Sequence, residues 1–169
     1  LVFHFTIMQD YEFLGRIGHG SFGKVWKAKR KTDGKIVAVK EIDFSGMGSK
    51  QKQMLVNEVN ILRKLQNAHI VRYLYRCVVK EKKIIYIVME FCPGGDLQSL
   101  IRKTRACRSY IREDQIWLSL TELSLALKDC HYGQEKILHR DIKPGNIFID
   151  GEGHVKLGDF GLARSLTND

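Results

Sequence analysis

Residues 139–146 read His-Arg-Asp-Ile-Lys-Pro-Gly-Asn, and Asp159-Phe160-Gly161 follows thirteen residues after Asn146. No other stretch constrains the chain as tightly. Asp141 supplies a base, Lys143 a cation, and Asn146 and Asp159 two oxygen donors suited to a hard metal ion. Ile147–Asp150 and His154–Leu157 alternate as short strands around Gly151-Glu152-Gly153. A hairpin there puts Asn146 and Asp159 at the two ends of one small sheet, so that they can converge on one ion. A base, a cation and two metal donors are the inventory of phosphoryl transfer.

The rest of the chain reads as the apparatus that would bring a nucleotide to this stretch. Gly18-His19-Gly20-Ser21-Phe22-Gly23 fits Gly-x-Gly-x-x-Gly. A dinucleotide-dependent oxidoreductase uses the same spacing but needs a helix directly after it. Residues 24–29, Lys-Val-Trp-Lys-Ala-Lys, read as a strand instead. Thr32-Asp33-Gly34 marks a turn, and residues 35–42 alternate again with many β-branched side chains. The glycines therefore belong to a strand-turn-strand whose backbone N–H groups can face phosphate oxygens. Val37-Ala38-Val39-Lys40 is an apolar strand ending in a cation.

Residues 50–65 carry Leu55, Val59, Leu62 and Leu65 at helical spacing, with Glu58 beside that stripe. Residues 69–74 read as a short strand and residues 84–90 as a buried one. Phe91-Cys92-Pro93-Gly94-Gly95-Asp96 breaks regular structure, and Asp96 is placed to cap a helix over residues 96–104. Residues 103–112 are polar and basic and are read as a loop. Residues 113–131 form a strong helix, with Ile116, Leu120, Leu123, Leu127 and Cys130 on one face and Trp117 and Leu118 widening it.

The 169 residues carry a net charge of +9, gathered near residues 24–40 and 102–112. No nucleic-acid module accompanies that charge, so it reads as solvated surface with a few cations for phosphates, and no nucleic-acid partner is expected. Four widely spaced cysteines suggest neither a zinc site nor a disulfide framework and fit a reducing, cytoplasmic setting. No stretch approaches the roughly 20 apolar residues of a membrane span. The apolar start, residues 1–7, makes a poor signal peptide.

Together, Gly-x-Gly-x-x-Gly-x-Val, Val-Ala-Val-Lys, His-Arg-Asp-x-x-x-x-Asn and Asp-Phe-Gly stand in the order of a eukaryotic-type protein kinase domain, which the chain resembles from about Tyr11 onward. Lys143, two residues after Asp141, resembles the serine/threonine branch. Residues 10–12, 52–59, 70–73, 86–90, 94–97 and 156–164 look like the NIMA-related kinases. Residues 77–83 and 103–112 match that family only loosely.

The resemblance implies an α+β, two-lobed fold: a complete β-sheet lobe with one helix, then the first part of a helical lobe. Residues 1–10 would be an N-terminal extension, 11–90 the small lobe, 91–96 the hinge and 97–169 part of the large lobe. It implies ATP and Mg²⁺ as nucleotide and metal, and a protein Ser/Thr hydroxyl as acceptor. Ile17, Gly18, His19, Gly20, Ser21, Phe22, Gly23, Lys24, Val25, Ala38, Met89, Glu90, Cys92 and Asp96 would line the nucleotide. Lys40 would hold the α- and β-phosphates with Glu58 as its partner, Asp141 and Lys143 would act at the transferring group, and Asn146 and Asp159 would hold the metal. His139 and Phe160 would be packing elements. No Ala-Pro-Glu triplet follows Gly161, so the 169-residue chain is expected to be marginally stable and weak in transfer by itself. A nucleotide- or partner-binding chain without turnover is the alternative expectation.

Overall fold

The computed structural model describes residues 9–20, 23–133 and 136–166. The chain divides into two compact units, one of residues up to Gln53 with Tyr73–Phe91, the other of Met54–Arg72 with the residues from Cys92 onward.

The first unit is built on five antiparallel strands: β1 (Tyr11–Gly20), β2 (Gly23–Arg30), β3 (Ile36–Asp43), β4 (Tyr73–Val79) and β5 (Ile84–Glu90), in the order β1-β2-β3-β5-β4. A strand, not a helix, follows Gly23, which rules out the dinucleotide-fold reading of the glycines. Gly23 is needed for packing: a Cβ there would lie 1.9 Å from the carbonyl oxygen of Glu41 on β3. The β2–β3 turn closes as its sequence predicts. Arg30 donates from Nε (2.9 Å) and Nη2 (2.5 Å) to the Asp33 carboxylate, whose Oδ1 also accepts from the N–H of Lys35 at 3.1 Å.

Alternation along the strands gives this sheet two apolar faces. Tyr11, Ala28, Val37, Val39 and Val88 form a buried cluster on one, joined by Trp26, Leu74 and Tyr86. The indole of Trp26 donates to Glu41 Oε2 at 3.0 Å and meets the Phe13 ring edge-on at 5.8 Å. The opposite face carries Ala38, Lys40, Ile42, Ile85 and Ile87, all buried.

The second unit is mainly helical: most of α1 (Ser49–Lys64), α2 (Leu97–Ala106) and α3 (Glu113–Tyr132). Its short strands are β6 (Gly95–Asp96), β7 (Ile137–Leu138), β8 (Ile147–Ile149), β9 (Val155–Leu157) and β10 (Arg164–Ser165), pairing β6-β8-β9 and β7-β10. Asp96 caps α2 as expected, its Oδ1 accepting from the N–H of Ser99 at 2.7 Å and its Oδ2 from the Ser99 hydroxyl at 2.8 Å. The helix runs two residues beyond the expected end, so the first four residues of the basic stretch are helical, and the loop starts at Cys107.

Two expectations need correction. Residues 69–72 are not a strand; the strand begins at Tyr73. The Asn67 side chain accepts from the N–H of His69 at 2.7 Å and turns the chain. The backbone then docks on β9 instead: Val71 donates to Leu157 O, Leu157 donates to His69 O, each at 2.8 Å, and Ile70 forms a single parallel bridge with Leu157. The buried face of α3 also differs. Ile116 and Leu120 are about half exposed (51% and 50%), and the side chains that α3 buries are Glu122, Ala126 and Cys130. Ala126 and Cys130 are small, which lets α3 approach β9 closely, and the larger leucines flank that contact.

Candidate active site

The sheet of the first unit aligns the nucleotide candidates by register. Val25 is the cross-strand partner of both Gly18 and Lys40, and Ala38 is the partner of Met89. Directly opposed residues share a face, so Gly18, Val25, Ala38, Lys40 and Met89 lie on the side away from the Trp26–Val39 cluster. Lys40 is 7% exposed, so the strand delivers its cation to a protected place. Lys24 is exposed on the neighbouring register, 3.8 Å from Glu41. Ile17 is half exposed near the end of β1. His19 and Gly20 continue that strand, opposite Lys24 and Gly23, while Ser21 and Phe22 lie outside the described residues. Glu90 closes β5 opposite Val37.

In the second unit the catalytic stretch is held by its own hydrogen bonds. The Asp141 carboxylate accepts from Lys143 Nζ at 2.6 Å and from Asn146 Nδ2 at 2.9 Å, and Asn146 Nδ2 also donates to Asp141 O at 2.8 Å. The Lys143 ammonium first, and the Asn146 amide after it, pull the Asp141 carboxyl below its ordinary value. Asp141 is thus ionised at neutral pH, and its side chain keeps 26% exposure, enough to meet a hydroxyl. Using the Asn146 nitrogen on Asp141 leaves its carbonyl oxygen as the atom that a cation can take.

His139 is 1% exposed and fixed as one tautomer. Its Nε2–H donates to Gly158 O at 2.9 Å, and its Nδ1 accepts from the N–H of Asp141 at 3.3 Å. Burial pushes its pKa down, so the ring is a neutral strut. It meets the fully buried Phe160 at 4.6 Å between centroids. Arg140 and Asp159 both take left-handed backbone, with φ of 65° and 55°. Such strain in non-glycine residues recurs where a side chain must be aimed. Arg140 donates from Nε to Leu162 O at 2.7 Å, tying the loop to the chain after Gly161. Sequence reasoning gave no role to Arg140.

The β8–β9 hairpin forms where its sequence predicts it. Asn146 enters it, Asp159 leaves it, and the N–H of Gly158 donates to Asn146 O at 2.9 Å across its base. Asp159 is exposed and takes its left-handed backbone directly after the hairpin. A carboxylate and an amide oxygen at one hairpin base fit Mg²⁺, which takes few protein ligands and completes its shell with water and phosphate. Among the described residues no three His, Cys, Asp or Glu side chains cluster as a metal cage. Glu58 is 4% exposed in the same unit, and a Cβ on Gly161 would lie 3.6 Å from its Oε2. Cys92 is buried at 8%, as a small apolar side chain, and both Asp96 oxygens are spent on Ser99.

The sequence matches a known family. The family model described as "Protein kinase domain" covers residues 11–169, and the chain belongs to the protein kinase family. It is 51% identical to human serine/threonine-protein kinase Nek2 over 95% of its length and 37% of that protein's. A probable serine/threonine-protein kinase nek2 of Dictyostelium discoideum is 52% identical, again over 95% of this chain and 38% of the relative. The G2-specific protein kinase nimA of Emericella nidulans is 40% identical, over 92% of the chain and 26% of its own length. The chain thus spans little more than a third of the Nek2-type relatives. The resemblance to NIMA-related kinases is accordingly carried by close relatives. No helix among the described residues is long and apolar enough to cross a membrane.

Proposed function

We propose that the chain is the nucleotide-binding and catalytic part of a NIMA-related serine/threonine kinase, moving the γ-phosphoryl group of ATP to a protein hydroxyl. The observation that carries this is the Asp141 carboxylate, held ionised and oriented by Lys143 and Asn146 at the base of the hairpin that bears Asp159.

Asp141 accepts the proton of the incoming hydroxyl as the oxygen forms its bond to the γ-phosphorus and the bond to the β-phosphate oxygen breaks. Lys143 then offsets charge on the transferring group. Asn146 and Asp159 would hold Mg²⁺, which would supply charge neutralisation on the phosphate oxygens. Lys40 takes the α- and β-phosphates, with Glu58 as its proposed partner, and Gly18, Val25, Ala38 and Met89 present the strand surface for the base. The setting is cytoplasmic, with the centrosome, cytoskeleton or nucleus as sites that the NIMA-related resemblance suggests.

Asp141→Asn tests the reading. It should lower transfer by about 10²- to 10⁴-fold, the usual loss of a general base, and leave ATP-analogue binding nearly intact. Unchanged transfer would remove Asp141 from its role. Nucleotide or partner binding without turnover is the second reading, and the exposed apolar side chains Ile116, Trp117, Leu118, Leu120 and Leu125 on α3 would suit a partner. Analogue binding with no phosphate transfer in the unmodified protein would select it.

A further inference from the structure

Glu122 is a carboxylate on the buried face of α3, which it shares with Ala126 and Cys130, and it is 4% exposed. Burying a charge this far is costly unless its oxygens are matched by donors. Both are. Oε1 accepts from His154 Nδ1 at 2.5 Å, and Oε2 accepts from the N–H of Val155 at 2.8 Å. A carboxylate offers no proton, so His154 Nδ1 is the donor. The two acceptors on α3 therefore grip two consecutive residues at the tip of the β8–β9 hairpin.

The base of that hairpin carries Asn146 and Asp159. Its frame is short and stiff: three strand pairs, the Gly158–Asn146 hydrogen bond, and an Asp150 carboxylate that accepts from the N–H groups of Glu152 and His154, each at 3.0 Å. We propose that Glu122 and His154 are positioning residues forming a protonation-controlled latch, which holds the hairpin, and with it Asn146 and Asp159, on α3. This rests on the reading of Asn146 and Asp159 as metal ligands.

The protonated ring gives a charge-assisted bond to Glu122; the neutral ring gives an ordinary one, which is roughly half as strong. His154 is 44% exposed at its side chain, so it exchanges protons with solvent freely. The groups around it favour the charged form. Glu122 faces it from α3, Glu152 lies 4.0 Å from its Nε2, and Asp150 stands within the hairpin. On the other edge of β9, His69 approaches Val155 O with Nδ1 at 3.3 Å and Lys156 donates to Ala68 O at 2.6 Å. The hydrogen bond to Glu122, then its charge, raises the His154 pKa above 6.5. The sign follows. A group raised on folding stabilises fully below its unfolded value and loses that contribution as pH rises through its folded value. The latch is therefore tight in mildly acidic solution and slackens as pH rises past the His154 midpoint.

The test uses Glu122→Gln and His154→Asn, which keep hydrogen-bonding side chains but remove the charge or the titration. Nuclear magnetic resonance of the His154 ring should give a midpoint above 6.5 that falls in Glu122→Gln. Exchange protection of the Val155 amide, corrected for intrinsic rate, should drop about threefold as pH crosses that midpoint, the size of a partly screened ion pair. His154→Asn should abolish that drop. The KM for Mg·ATP should rise about threefold over the same interval in the unmodified protein and stay flat in His154→Asn. A midpoint unmoved by Glu122→Gln, or wild-type pH dependence in His154→Asn, would overturn the latch. So would an equal loss at every pH, which marks a purely structural contact. Absence of transfer in the unmodified protein would strike the kinase reading alone, since titration and exchange decide the latch without it.

Discussion

Asp141 shows how one side chain is tuned by its neighbours. Lys143 is the main cause of its lowered pKa. A carboxyl depressed on folding contributes above its unfolded value and loses that contribution as pH falls through the folded one. Lys143→Ala should therefore move the acid limb of the transfer profile from below pH 3.8 toward that ordinary carboxyl value, read from kcat in buffers that span it. An unmoved limb would mean that Asp141 is not the group titrating there. Phe160, fully buried against His139, tests packing at the same scale. Phe160→Ala should cost about 3–5 kcal/mol in a denaturant titration, the usual loss for a deleted buried aromatic ring.

The β2–β3 contact and the β8–β9 hairpin set the tolerances of the elements. Gly23→Ala puts a Cβ 1.9 Å from Glu41 O, a backbone atom that cannot swing away. The strands must part, and the expected cost is about 1–3 kcal/mol in thermal or denaturant unfolding. A neutral result would place the β2 start elsewhere. Here the sequence was partly readable. The glycine spacing, Val-Ala-Val-Lys and the hairpin around Gly151-Glu152-Gly153 announced their strands because alternation and turn residues are local signals. Residues 69–72 misled, since β-branched composition resembles a strand while Asn67 and β9 impose a docked turn. Glu122 was missed because its meaning depends on His154, 32 residues away. The small residues Ala126 and Cys130, at four-residue spacing from it, were the available clue to the close face of α3.

At the scale of the molecule, each unit has its own buried core and its own half of the proposed chemistry. The first offers a sheet face with Lys40, the second a hydrogen-bonded loop with Asp141. Ile116 and Leu120 are half exposed, so Ile116→Glu and Leu120→Glu should change stability by less than about 0.5 kcal/mol in chemical denaturation, as at other surface sites. A large loss would show that this face of α3 is covered in solution. The most direct test of the whole account pairs two readings on the same samples: γ-phosphate transfer to a protein acceptor and ATP-analogue affinity, in the unmodified protein and in Asp141→Asn. Transfer reduced by about 10²-fold or more with affinity within about threefold is the predicted result. Transfer that survives the substitution, or falls only as far as affinity falls, would contradict it.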